Sequence, residues 1–227
     1  MSYSGRISIV IIYVTLVLGW HSFYFLIDYE GSYVFMFENG QYKWDLVFIP
    51  LLSPFFWWLG FQYDKAKFLS QKDALTGLYN RRFISESAPK LLAKMDKKIG
   101  NLTISVIDCN DFKQINDEYG HKIGDMVLTK ITEVLLHSTT EQDIVARWGG
   151  DEFLIVSPYS DSKRTRDIST KIELGLYQLS KEMSMDISVS IGTAVYPSDA
   201  CEMKELLIIA DRNMYKCKSG VKTIKQG

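Results

Sequence analysis

The first 63 residues are nearly free of charge. Arg6, Asp28, Glu30, Glu38, Lys43 and Asp45 are their only charged side chains, while 47 charges follow residue 63. The chain as a whole has almost no net charge, with 26 Lys and Arg against 27 Asp and Glu in 227 residues. From Ser70 onward 22 basic residues balance 22 acidic ones. That part has no basic excess with which to hold a nucleic-acid polymer, although small nucleotides stay open as ligands. Cysteine is scarce: Cys109, Cys201 and Cys217 form no C-x-x-C or other metal spacing. An odd, scattered set excludes a disulfide framework, fits a reducing compartment and reads as inert apolar filler. Internal repeats and low-complexity stretches are missing, and the composition is neither disordered nor collagen-like. The length suits one sizeable domain plus something smaller.

The uncharged region holds 19 of the 30 aromatic residues and two long runs. Ile7 to Ile27 gives 21 residues, which as a helix reach roughly 30 Å, the thickness of a bilayer's hydrocarbon. Leu46 to Tyr63 gives 18 and contains Pro50 and Pro54, so a kinked or shallow span is expected there. A cleaved signal peptide is the rival for the first run, but no small-x-small site follows it. Arg6 before the first run and Lys65, Lys67 and Lys72 after the second place both ends in the cytoplasm. The link 28–45 is too short for a folded sensor. The aromatics around Trp44 and Trp57-Trp58 read most simply as interfacial anchors, with a ligand-binding cluster as the sharper alternative, and His21 as a hydrogen-bonded helix-packing residue ahead of a haem or proton role.

Beyond the runs, 64–72 reads as a helical connector and 73–227 as the charged, globular domain. A turn at Thr76-Gly77 leads into a helix to about Met95, and 102–107 (LTISVI) forms a buried strand ending at Asp108. A short helix from Phe112 precedes a longer one, Gly124 to His137. IVARW and FLIVS flank a four-residue hairpin loop, 149–152. A helix over 163–183, a strand over 187–196, a helix from Met203 to about Lys216 and a possible edge strand complete the chain. The expected fold class is α/β, a mixed sheet flanked by helices and preceded by a two-helix transmembrane hairpin.

Two acidic sites stand out. Asp108 ends a buried strand, and Asp151-Glu152 tip a hairpin behind Gly149 and Gly150. Carboxylates converging from neighbouring strands suit a hard divalent cation that shares its shell with phosphates, and glycines let backbone approach a phosphate. An acidic hairpin tip is more often a solvated turn.

The strings RWGGDEF (147–153), DALTGLYNRR (73–82), IDCNDFKQINDEYGHKIGDMVL (107–128), SIGTAVYP (190–197) and ADRNMYKCK (210–218) resemble the ordered blocks of the GGDEF family, the diguanylate cyclases. The resemblance covers residues 73 to about 222. It implies a fold related to nucleotidyl cyclases and polymerase palms, and the condensation of two GTP into cyclic di-GMP with release of two pyrophosphates. It implies Mg²⁺, or Mn²⁺, held by Asp108, Asp151 and Glu152 with the backbone carbonyl of Cys109. Asp151 and Glu152 share candidacy as base for the 3′-hydroxyl. Asn116 and Asp125 would read guanine, with His121, Gly149 and Gly150 lining the nucleotide site. Lys113 would stabilise charge developing on phosphate, and Lys218 and Lys222 would hold the triphosphate. One domain binds one GTP, so a homodimer of facing domains is implied. The implied setting is the bacterial cytoplasmic membrane, with lipid as the other partner and the catalytic domain in the cytoplasm.

Three positions depart from the family pattern. Asn110 stands for the second Asp of D-x-D. Lys222 stands near where an arginine is usual, and loses its bidentate fork. Thr140-Glu141-Gln142-Asp143 stands where the product-binding inhibitory motif R-x-x-D would be, without its arginine. The DALTGLYNRR block is expected to brace the domain, with Asp73 paired to Arg81 or Arg82. Trp148 is expected to pack.

Overall fold

A computed structural model describes residues 4–225, with side chains described as far as residue 219. The chain divides into two units, Met1–Ser70 and Gln71–Gly227.

In the first unit, α1 (Ser4–Ile27) packs against α3 (Tyr42–Leu69), with the short α2 (Tyr29–Tyr33) and a π-helical turn (Val34–Glu38) between them. Both long helices are apolar and long enough to cross a membrane. α3 is continuous for 28 residues with Pro50 and Pro54 inside it, and it ends at Leu69 rather than at 72. Tyr13 stacks on Phe56 at 4.2 Å, and His21 Nε2 lies 3.0 Å from Asp45 Oδ2, so the histidine does join the two helices. At the other end the buried Asp64 accepts from the backbone N–H groups of Gly5 (2.9 Å) and Arg6 (3.2 Å). One helix thereby caps the open N-terminus of the other. Gly60 allows this approach, because a Cβ there would run into the Arg6 backbone.

The second unit is a five-stranded sheet in the order β1-β3-β4-β2-β5. Its strands are β1 (Tyr79–Asn80), β2 (Leu102–Cys109), β3 (Ile144–Arg147), β4 (Glu152–Pro158) and β5 (Val189–Tyr196). Only β1 on β3 is parallel; the other pairs are antiparallel, so the sheet is mixed as expected. β2 is buried throughout, which explains its unbroken apolar run. Its neighbour β4 alternates: Phe153 and Ile155 join a core with Leu128, Ile131 and Ile172, and Leu154 and Val156 join a second core with Ile84, Met95, Leu206 and Ala210. α5 (Phe112–Tyr119), α6 (His121–Ser138) and α7 (Ser162–Met183) supply the first core, and α4 (Arg81–Lys98) and α8 (Met203–Lys225) the second. Asn80 and Asp161 start α4 and α7 by accepting from the N–H groups of Phe83 and Arg164.

The expected C-terminal edge strand is replaced by helix, since α8 continues to Lys225 and β1 forms the sheet edge beyond β3. No glycine or proline precedes Gly220 in α8 to end it at Lys216. Cys109 is buried as expected, but Cys201 and Cys217 are exposed and fill no core.

α8 lies directly on β5 at Gly192, where a Cβ would overlap the backbone of Ala210 and Met214. Gly192→Ala must therefore push the helix outward. It is expected to destabilise the full chain by about 1–3 kcal/mol, read as a lower urea midpoint in the second unit's transition.

Candidate functional site

The β2–β4 register sets Asp108 opposite Glu152 at the end of the pair. The hairpin loop is Trp148–Asp151, so Glu152 is the first residue of β4, one position earlier than the 149–152 loop expected. The turn is closed by Trp148 N–H and Gly149 N–H donating to the Glu152 carbonyl at 2.8 and 3.2 Å. Cys109 N–H donates to the Asp151 carbonyl at 3.1 Å, which draws the loop onto the end of β2. Asp108, Asp151 and Glu152 are thus brought together, with Asp108 9% exposed.

Lys218, from the far end of the chain, reaches this cluster on α8 and donates to Asp108 Oδ1. Burial pulls its ammonium down, but the hydrogen bond and attraction of Asp108, followed by Asp151, outweigh that and the net direction is up. Burial, then repulsion from Asp108, pushes the Asp151 carboxyl above the ordinary range. Burial, then Asp108, Asp151 and Asp211, pushes Glu152 the same way. The Cys109 thiol is driven to about 12 by burial and by Asp151 and Asp108, so its sulfur is an inert neutral group on the core side.

Hard oxygen donors crowded until their protons are held too tightly fit a divalent cation, which would supply the missing positive charge. The side chains as they stand are not a preformed cage: among the described residues no group of three or more His, Cys, Asp or Glu is arranged to hold a metal.

The two glycines differ. A Cβ on Gly149 would press on the Glu152 carboxylate at 2.7 Å, whereas Gly150 faces open space.

The other candidates lie on the corner between α5 and α6. Gly120, at φ +83, turns the chain between the helices. Gly124 lies so close to Asn116 that any side chain there would collide with the amide. Asn116 is half-buried, while His121 at the start of α6 and Asp125 one turn on are exposed, as is Lys113 on α5. The side chain of Lys222 lies outside the described residues.

Arg147 is a residue that sequence reasoning quoted but gave no role. It donates to the Gly150 carbonyl through Nε (3.1 Å) and Nη2 (2.7 Å), and to Asp73 Oδ1 through Nη1 (3.0 Å). Asp73 Oδ1 also takes the N–H and hydroxyl of Thr76 at 2.9 and 2.7 Å. The expected brace exists, but its arginine is Arg147. Arg82 pairs with Glu86, and Arg81 lies over the Trp148 ring at 4.9 Å. The two-residue strand β1, paired with β3 at Asn80↔Arg147, is what brings Arg147 within reach. Such a short pairing leaves no periodicity to read.

Asn110 staples β2 to β5, donating to Ser188 Oγ at 3.0 Å and accepting from Ser190 Oγ at 2.7 Å. Asp143, with its side chain wholly buried, accepts from Thr140 N (2.8 Å), Thr140 Oγ1 (2.9 Å) and Arg164 Nη2 (2.9 Å).

Burial alone would raise the Asp73 carboxyl, but its bonds to Thr76 and Arg147 hold it below the ordinary value of about 3.9. A depressed folded value stabilises the fold above the unfolded pKa, and the gain is lost as pH falls through the folded one. Asp73→Asn should therefore lower the urea midpoint near neutral pH and close the gap to wild type toward pH ~3. A constant gap across that range would remove the ionic part of the brace.

The profile of the family described as "Diguanylate cyclase, GGDEF domain" matches residues 70–223. The chain is 30% identical over 174 residues to diguanylate cyclase DgcS of Shewanella oneidensis, covering 77% of this chain and 56% of that one. Among solved structures, the isolated GGDEF domain of YfiN (TpbB) from Pseudomonas aeruginosa superposes with a TM-score of 0.62 at 34% identity, covering 66% of this chain and 89% of that domain. The GGDEF domain of DgcB from Caulobacter crescentus, solved in complex with c-di-GMP, gives 0.57 at 25% identity, covering 66% and 91%. The chain spans little more than half the length of its relative DgcS. With the ordered blocks, the mixed sheet and the acidic hairpin on one domain, the chain belongs to the GGDEF family.

Proposed function

We propose that this protein is a membrane-bound diguanylate cyclase that joins two GTP into cyclic di-GMP and releases two pyrophosphates. The observation that carries the reading is the convergence of Asp108, Asp151 and Glu152 at the end of β2–β4, with Asp151 and Glu152 pushed toward holding a proton. Carboxylates in that state are poised to accept a proton or a cation, and nucleotidyl transfer asks for both. The relatives' names and the domain solved with c-di-GMP point the same way.

In this reading Asp108, Asp151, Glu152 and the Cys109 carbonyl hold Mg²⁺ or Mn²⁺, which neutralises charge on the phosphates when bound. Asp151 or Glu152 takes the proton of the attacking 3′-hydroxyl. Asn116 and Asp125 read the edge of guanine, an amide and a carboxylate together matching its N1–H and N2 amine, and His121 lines the same corner. Lys113, Lys218 and Lys222 balance phosphate charge. Phosphates approach over Gly150, on the side open in the fold. Two domains face each other, each bringing one GTP. The hairpin of residues 1–63 anchors the chain in the cytoplasmic membrane with both ends inside, and 64–72 connects it to the domain at 73–227. Anchoring raises the local concentration of the two halves.

Detergent-purified full-length protein incubated with GTP and Mg²⁺ should yield cyclic di-GMP by chromatography and mass, and Asp151→Ala should yield none. Product from Asp151→Ala at the wild-type rate would refute the assignment. Gly150→Ala should keep the wild-type melting temperature yet lower kcat/KM at least about tenfold, because nothing in the fold opposes the methyl but the nucleotide does.

Feedback inhibition through residues 140–143 should be weak. The motif's arginine is missing, and Asp143 is already consumed by Arg164 and Thr140. The inhibition constant of cyclic di-GMP should be unchanged in Asp143→Ala; tight non-competitive inhibition lost in that variant would overturn this.

A further inference from the structure

At the end of the hairpin farthest from residue 70, the last turns of α1, the short α2 and the π-helical turn line a half-open cavity of about 470 Å³. Its walls are the rings of Trp20, Tyr24, Phe25 and Phe35, and its polar groups include His21 and Asp28. A volume of this size and an apolar lining with few polar groups are the marks of a small-molecule site.

From these features we infer that the cavity binds a small organic cation with an apolar body, such as an arylalkyl ammonium. Ring faces attract a cation through their quadrupoles, and Trp20 and Tyr24, which pack edge to face at 5.0 Å, both line the cavity. Asp28 supplies the counter-charge. Its carboxylate lies among the cavity's lining groups and caps α2 through Oδ1, which accepts from Gly31 N–H at 3.0 Å. The field around the cavity has the right sign, since residues 28–45 hold Asp28, Glu30, Glu38 and Asp45 against Lys43. His21 is held by Asp45 of α3, which fixes one wall to the second long helix. The π-helical turn at Val34–Glu38, which carries Phe35, is a geometry found most often at functional sites.

The test is calorimetric titration of full-length protein in detergent with phenethylammonium, and in parallel with its neutral analogue 2-phenylethanol. No GTP is present, so the result stands apart from the cyclase assignment. Phenethylammonium should bind saturably, and 2-phenylethanol at least about tenfold more weakly. Asp28→Asn removes the charge but keeps a side-chain oxygen for the α2 cap, so it should leave the helix in place and weaken phenethylammonium at least about tenfold. No saturable binding, or equal binding of the neutral analogue as a greasy pocket filled by lipid would give, overturns the inference. So does binding that Asp28→Asn leaves intact.

Discussion

Asp108 lies opposite Glu152 because β2 and β4 pair antiparallel in one register from Leu102↔Pro158 to the last residue pair. Side chains alternate along a strand, so a slip of one residue would exchange the faces of Phe153 and Leu154 and unpack both cores at once. The register is therefore held by the whole apolar content of β4, and the acids at its end are placed by hydrophobic packing several residues away. Three carboxylates that repel one another are kept together by a core that has no charge in it.

The residues that temper this repulsion come from distant parts of the chain. Lys218 reaches Asp108 from α8, and α8 can lie close enough only because Gly192 offers no side chain. Arg147 holds the Gly150 carbonyl from within the hairpin and is itself held by Asp73, 74 residues earlier. The DALTGLYNRR block thus acts on the loop through Asp73, while its Arg81 lies over Trp148 and its charge partly offsets the upward push on Glu152. Asn110 does comparable work at the other edge, tying the end of β2 to the strand entry at Ser188 and Ser190.

The hairpin unit follows the same logic with fewer polar groups. Close packing and hydrogen bonds join its two apolar helices. Gly60 gives the close approach, Asp64 caps the exposed N–H groups of α1, and His21 meets Asp45 at the opposite end. Each of these is a contact between residues far apart in sequence.

Much of this protein was legible from residue order alone. The charge-free runs, the buried strand at 102–107, the amphipathic helices and the glycine-acid hairpin are local patterns, and local patterns follow from periodicity and composition. The ordered motif blocks carried the family resemblance for the same reason, being contiguous strings. What only the tertiary structure decided is pairwise and long-range. Asp73 selected Arg147 over Arg81 and Arg82 because a two-residue parallel pairing set its place. Asp143 was taken by Arg164 because α7 begins beside the 140–143 turn. Lys218 found Asp108 because α8 runs on as helix beyond Lys216. Each outcome depends on which chain segments the packed cores bring side by side, and no periodicity within a segment records its neighbour.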